Sequence, residues 1–400
     1  CYNSSPTISH NTISNNSASQ AGGGISCYNH NGVIENNMIC DNSADSWGGG
    51  IYSSADIDGA GPQIKNNTIC RNGGAYLGGG IYCYRSTVIE GNAINSNSTQ
   101  GFGRGMGIYV SYLDVVIKDN IIMYNECPLG SGYGGGVYVS QYGATITGNV
   151  ICRNFAGGDW YDGSIGGGIY GSPLILAKNT IADNRAYSAD GIYLVTDTTS
   201  MISNSIVMGS IDASGATVTI EYSLIEGGWP GVGNIDGDPL FVDPLGGDYT
   251  LSTRSPCIDA GNPASDVPEG GGDRIDMGAL EFPQRFNGLL IFEGYPETAF
   301  AGSVVSWEVS LENPTPYPQI IDGWIDFSGP LSGVALKYLD RVIQPGEWTQ
   351  TVEVPIPSNA PEGLYTVKGR VGIYGEAIWD SEVFDLLVVD GTKQAKVVFH

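Results

Sequence analysis

The chain has 400 residues, 17 of them basic and 42 acidic, for a net charge of −25 at neutral pH. Such a balance argues against nucleic acid or an anionic membrane as partner, because both repel an acidic surface. No run of about 18 apolar residues occurs, so no membrane-spanning helix is expected, and 60 glycines scattered among short Val/Ile/Tyr runs exclude long helices.

From Cys1 to about Ile225 the sequence repeats itself. Gly-Gly-Gly-Ile or a close variant begins at Gly22, Gly48, Gly78, Gly105, Gly134 and Gly166, and a degenerate copy ends at Tyr193. A second phrase, Ile-x-x-Asn-x-Ile, places its Asn at Asn11, Asn37, Asn67, Asn92, Asn120, Asn149, Asn179 and Asn204, 25 to 30 residues apart. Five residues later, all but the last copy carry another: Asn16, Asn42, Asn72, Asn97, Asn125, Asn154 and Asn184. Phrases that keep step while the spacer varies are one supersecondary unit, copied with loops of different length.

Alternation in Gly50-Ile51-Tyr52-Ser53 puts Ile51 and Ser53 on one strand face and Tyr52 on the other. Three aliphatic columns result. They are Ile25, Ile51, Ile81, Ile108, Val137, Ile169 and Ile192; then Ile8, Ile34, Ile64, Ile89, Ile117, Ile146, Leu176 and Met201; then Ile13, Ile39, Ile69, Ile94, Ile122, Ile151, Ile181 and Ile206. Three columns facing one axis predict an all-β fold, a right-handed parallel β-helix over residues 1–227. His10, Asn36, Asn66, Gly91, Asp119, Gly148 and Lys178 each precede a ladder Asn and mark bends of left-handed backbone. The Asn series is expected to stack as a ladder of amide hydrogen bonds.

The outward positions carry the candidate chemistry. After each Gly-rich turn comes Tyr52, Tyr82, Tyr109, Tyr138, Tyr170 or Tyr193, and just upstream the same edge carries Trp47, Tyr76, Phe102, Tyr133, Trp160, Tyr161 and Tyr187. An aromatic stripe suits sugar rings or a protein partner; the alternative is that the tyrosines only stabilise adjacent strands. The insertion at 155–165 adds Asp159 and Asp162 and is read as a loop pocket. Glu35, Lys65, Glu90 and Lys118 alternate in sign along one column, which reads as a cross-strand charge ladder. Arg71 and Arg153 share a further column with Asp41 and Asp183, read as several coils apart. Glycoside hydrolysis needs two carboxylates facing each other, and none are placed so, hence no catalytic residue is assigned.

Cys1 and Cys27 share a column on adjacent coils, as do Cys40 and Cys70, close enough for disulfides; buried thiols are the alternative. Cys83 and Cys152 have no such neighbour and are expected to be free. With no CxxC pair and three His, zinc is not expected. Residue 1 already falls inside a repeat. The expectation is a processed or incomplete N-terminus, with lipidation of Cys1 as an alternative.

Residues 228–284 break the rhythm and are read as a C-terminal cap, because an open solenoid exposes core and unpaired edges. Asp236, Asp238, Asp243 and Asp248 cluster there as candidate Ca²⁺ ligands, against the simpler reading that they form turns; no other cofactor is expected. Residues 285–391 lose the glycine triplets and show alternating strands at 304–311, 348–354 and 365–371, which predicts an immunoglobulin-like β-sandwich. The tail, 392–400, is read as a strand able to add to an edge of a neighbouring copy, a route to a head-to-tail filament.

The Gly-Gly-Gly-Ile-Tyr and Ile-x-x-Asn-x-Ile repeats resemble those of bacterial secreted right-handed β-helix proteins. They are also similar to the Gly-Gly-Ala-Ile and Phe-x-x-Asn repeats of polymorphic outer-membrane proteins, with Ile here in place of Phe. Residues 236–281 resemble the terminal region of choice-of-anchor β-helix surface proteins. Residues 285–391 resemble small sandwich domains that precede cell-surface sorting signals. The resemblance implies secretion and an extracellular or cell-surface location, and no single activity. Two function classes remain: a structural or adhesive rod presenting the aromatic face to a glycan or surface protein, or to copies of itself, and a polysaccharide lyase or glycoside hydrolase.

Overall fold

The computed structural model describes residues 1–55, 61–74, 76–128, 130–140, 142–157, 163–252, 254–268, 271–272, 274–282, 290–313, 319–330, 332–343, 346–373 and 377–389. Two compact units divide the chain, one of residues 1–268 with 273–282, the other of residues 269–272 with 283–400.

Three parallel sheets build the first unit, and successive strands of each are one repeat apart in sequence. The first sheet has nine strands, from Thr7–Ser9 to Thr217–Glu221; the second nine, from Thr12–Ser14 to Leu224–Ile225; the third eight, from Ile25–His30 to Ile211–Asp212. Like residues pair with like: Ile34 with Ile64, Ile69 with Ile94, Ile81 with Ile108. The strands are two to six residues long, and in the three-residue ones the central side chain points inward while its neighbours point out. Those inward side chains form one continuous core in which Ile51, Ile64, Ile69, Ile81, Ile89 and Ile94 are fully buried. At roughly 2 kcal/mol per buried aliphatic side chain, this core is the main stabilising term of the rod.

The bends are built as the sequence implies. His10, Asn36, Asn66, Asp119 and Lys178 have φ between 54° and 58°, and a second series, Asn15, Asp41, Arg71, Ser96, Tyr124, Arg153 and Asp183, has φ between 50° and 60°. After each left-handed residue comes an Asn, exposed on the first coil at Asn11 and Asn16 and buried on the coils that follow. Its main-chain N–H donates to the Oδ1 of the Asn one coil on, at 2.8–3.0 Å in the series from Asn11 to Asn179. The series from Asn16 to Asn184 does the same at 3.0–3.1 Å. From Asn37 and Asn42 onward each side-chain amide also donates back to an Ile carbonyl one coil earlier, as Asn67 does to Ile34 at 2.9 Å. Every buried polar group at the bend is therefore paired.

The last rung departs from the sequence reading. Leu176 pairs with Ile202 and Ile181 with Val207, so Met201 and Ile206 do not occupy the columns assigned to them. Asn204 takes the left-handed position, at φ 48°, and Ser205 the ladder position, its Oγ accepting from the Asn179 N–H at 3.1 Å. Aliphatic residues flank both frames here, so the pattern alone does not choose; the need for a left-handed residue before the ladder residue does. The ladder then continues through Ser223 to Asn234. Asn204 instead holds the cap: its Oδ1 accepts from Asn262 N–H at 2.6 Å and its carbonyl from Gly278 N–H at 2.8 Å.

The glycine triplet is required position by position. Gly78 has φ +70°. A Cβ on Gly79 would lie 2.5 Å from the Ser98 carbonyl oxygen, and one on Gly80 would lie 2.7 Å from that of Gly107. Only a residue without Cβ lets adjacent coils approach this closely.

In the cap, the strands Phe241–Asp243 and Asp248–Leu251 form an antiparallel pair that buries Tyr249. The second unit is a β-sandwich. Its smaller sheet holds Leu290–Glu293, Val304–Asn313 and Gly346–Pro355; its larger sheet runs in the order Thr298–Phe300, Ala377–Val389, Gly363–Ile373, Gln319–Ser328, Gly333–Ile343. Phe292 and Phe384 pack edge-on against Trp307, with centroids 5.8 and 5.1 Å away. The tail at 392–400 lies outside the described residues.

Candidate functional site: the aromatic edge of the rod

Tyr52, Tyr82, Tyr109, Tyr138, Tyr170 and Tyr193 stand in register on the outer face of the third sheet. Their rings stack with centroids 4.9–5.3 Å apart and planes within 13° of one another. Parallel strands are spaced about 4.8 Å apart, so identical rotamers repeat as a column of stacked rings. Burial pushes the hydroxyls of Tyr82 and Tyr170 up to about 12, and Tyr109 and Tyr138 rise for the same reason, opposed by the nearby Arg104 guanidinium.

Of the two readings of the column, this geometry fits the one in which the tyrosines stabilise adjacent strands. Each inner ring has both faces covered by its neighbours, so the column mainly ties coils together. Trp47 packs over Tyr52 and Tyr82 at 6.1 and 6.0 Å, and Tyr133 sets its edge on Tyr170 at 5.5 Å. Nor do all the upstream aromatics share one column. The bridged series there is Trp47, Leu77, Arg104, Tyr133 and Ile165, which leaves Tyr76, Phe102 and Tyr187 beside it. These three are 57%, 75% and 62% exposed, and Trp47 is 42% exposed. Among the described aromatic residues of the edge, these four are the exposed ones. Trp160 and Tyr161, with Asp159, Asp162 and the pocket read from that insertion, lie outside the described residues.

A second aromatic series was missed. Tyr2 stacks on Tyr28 at 5.4 Å, while Tyr84 meets Tyr112 at 5.3 Å and Tyr112 meets Tyr142 at 4.3 Å with their rings tilted. The Arg85 guanidinium lies 4.5 Å from the Tyr112 centroid. The signal was present in Tyr28 and Tyr84, two residues beyond the first column's positions and both paired with Ser54. Tyr112 and Tyr142 sit past their strand ends, where loops of unequal length hide the periodicity.

The charged columns are ion pairs between coils. Lys65 meets Glu35 at 3.3 Å and Lys118 meets Glu90 at 2.7 Å. Arg71 donates twice to Asp41, both at 2.8 Å, so this pair spans adjacent coils rather than several. Arg153 and Asp183 belong to a contact with the cap. The Arg153 guanidinium donates to the Tyr249 hydroxyl at 3.1 Å, to the Leu245 carbonyl at 2.7 Å, and to Tyr124 Oη and the Pro244 carbonyl. Tyr249 donates in turn to Asp183 at 2.7 Å.

The candidate Ca²⁺ ligands are not brought together. Asp236, Asp238, Asp243 and Asp248 each accept a main-chain N–H of a nearby turn, from Gly227, Leu240, Gly246 and Thr250 at 2.8–3.0 Å. Among the described residues, no group of three or more His, Cys, Asp or Glu could hold a metal ion. Cys40 and Cys70 are joined by a disulfide. Cys1 and Cys27 are not: Cys27 points into the core while Cys1 is exposed. Cys83 and Cys152 are free and buried, and burial raises both thiols. No helix among the described residues is long and apolar enough to cross a membrane.

The family model described as "Right handed beta helix region" matches residues 1–169. The rod is a right-handed parallel β-helix. No curated protein matches the chain. Among solved structures, the chain is similar to the CARDB domain of a Pyrococcus furiosus protein in complex with di-metal ions, at 15% identity over 27% of this chain and 96% of that one, with a TM-score of 0.22. It is also similar to a β-glucosidase from Listeria innocua in complex with isofagomine, at 19% identity over 31% of this chain and 20% of that one, with a TM-score of 0.21. Neither likeness is strong enough to bear on function.

Proposed function

We propose that the protein is an extracellular, cell-surface structural and adhesive rod that binds a glycan along its aromatic edge. The supporting observation is the group of exposed rings, Trp47, Tyr76, Phe102 and Tyr187, held beside a stacked tyrosine column that gives the edge a fixed spacing. Sugar rings present apolar C–H faces, and open aromatic faces on a rigid support suit them. An acidic, repeat-built fold suits exposure outside the cell. The lyase or hydrolase reading is less well supported, since Glu35 and Glu90 are each engaged by a lysine.

The test is affinity electrophoresis of the whole chain in gels of neutral and of acidic polysaccharides, alongside Trp47→Ala/Phe102→Ala, with analysis of products. Retardation of the parent, lost about tenfold in the double variant, without release of oligosaccharide is the expected result. Release of product would replace this reading with the enzymatic one. No retardation in any polysaccharide would remove it.

A further inference from the structure

The sandwich contains an unfilled space that its own sequence creates. On the strand Gln319–Ser328, Ile321 and Ile325 point into the core, so Gly323 between them does too. On the strand Gly363–Ile373, Val367 and Val371 are buried, and Gly369 lies between them. Gly323 pairs with Val371 and Ile325 with Gly369, so the two glycines are diagonal neighbours on one inner face. Two side chains are thus missing from the same patch of the larger sheet.

The two gaps are not equivalent. A Cβ on Gly369 would meet the Phe292 ring at 2.0 Å, so that ring already fills the space. A Cβ on Gly323 would meet nothing nearer than the Arg370 carbonyl oxygen at 4.0 Å. Over Gly323 lies a cavity of about 70 Å³, walled by Leu311, Ile321, Ile325, Ile343, Trp348 and Val352. One water needs roughly 10–15 Å³ by this measure, together with polar partners, and these walls are apolar. The space is suited to an alkyl chain.

The mouth has its own chemistry. Arg341 lines the same cavity and is exposed. Its guanidinium lies 5.5 Å from the Tyr338 ring centroid, and it has no carboxylate partner among the described residues. Arg370, the other cation along the wall, is paired with Asp326. A cation with no carboxylate partner among the described residues, at the rim of an apolar slot, matches a ligand with an apolar tail and an anionic head.

We propose that the sandwich is a binding module for a short aliphatic carboxylate, its tail over Gly323 and its head at Arg341. Trp348 lines the cavity and reports occupancy through its fluorescence. The experiment titrates the whole chain with butanoate, hexanoate, octanoate and decanoate, and with 1-octanol as the uncharged control. It is repeated on Gly323→Val and Arg341→Gln, with circular dichroism to show that each variant keeps its β-structure. The expected result is a saturable change that strengthens with chain length. Gly323→Val should abolish it while leaving the melting temperature equal or higher, because valine occupies the space. Arg341→Gln should weaken the carboxylates about tenfold and leave octanol unchanged. The proposal is overturned if no carboxylate gives a saturable change, if Gly323→Val still binds, or if Arg341→Gln weakens octanol as much as octanoate. A Gly323→Val chain without β-structure leaves the Arg341→Gln comparison to decide.

Discussion

Replacing Asn120 with Ala removes five hydrogen bonds from the middle of the rod. The Asn120 amide donates to the carbonyls of Ile89 and Lys118 and to Asn149 Oδ1 at 2.8–2.9 Å, and its Oδ1 accepts from the N–H and side-chain amide of Asn92 at 2.8 and 3.0 Å. Several partners keep another bond. The Asn92 amide still reaches Ile64 and Glu90, and Asn149 Oδ1 still receives the Asn120 N–H. One buried group loses its partner, the Asn92 N–H; the Ile89 carbonyl keeps the ladder hydrogen bond from the Lys118 N–H that its pairing with Ile117 requires. At about 1–3 kcal/mol for the orphaned group, the substitution should cost about 2 kcal/mol. Asn120→Ser should cost clearly less, because a serine hydroxyl can accept the N–H above it, as Ser205 does for Asn179. Urea denaturation monitored by circular dichroism measures both. A loss below about 1 kcal/mol for the alanine variant, or equal losses for the two, would refute the assignment of the ladder as the element that satisfies the bends.

Gly80→Ala should destabilise the rod by about 2–3 kcal/mol in thermal melts, since the new Cβ would lie 2.7 Å from the Gly107 carbonyl oxygen and 3.0 Å from the Asn97 amide nitrogen. Arg153→Ala should release the Phe241–Leu251 pair of strands from the coils, seen as at least tenfold faster amide exchange there with the mid-rod strands unchanged. Asp276 and His30 give opposite pH dependences. Burial raises the Asp276 carboxyl to about 7, so its stabilising contribution is complete below about pH 4 and is lost as pH rises through 7. Burial lowers the His30 imidazole to about 4, so its contribution is complete above about pH 6.5 and is lost as pH falls through 4. Between about pH 4 and 6.5 the two slopes oppose, and His30→Gln should expose a decline in stability with rising pH; a flat or rising curve in that variant would contradict the Asp276 assignment.

What was legible in the sequence was whatever one residue type holds at one position in every coil. The Ile columns, the left-handed residues and the Asn ladder meet that condition, because each obeys a steric or hydrogen-bonding rule that admits few substitutes. Legibility failed at Met201 and Ile206, where Ile202 and Val207 serve equally well and the choice of frame falls to Asn204. It failed for the tyrosines in another way. An outward Tyr looks the same in sequence whether its ring faces solvent or its neighbour, and only the inter-coil spacing decides that. The partners of Arg153, 91 to 96 residues away in the cap, lie beyond any local pattern, as does the pairing of Cys40 rather than Cys1.

The Asn ladder also bears on how such a rod changes in size over evolutionary time. Asn72 and Asn97 make the same set of bonds, so excising the intervening 25 residues would join two surfaces that already fit. Duplication would do the reverse, lengthening the molecule by roughly 4.8 Å without disturbing the closure at Asn204. Reach, and with it the number of aromatic rings on display, can therefore be altered by whole-unit recombination while the fold stays as it is.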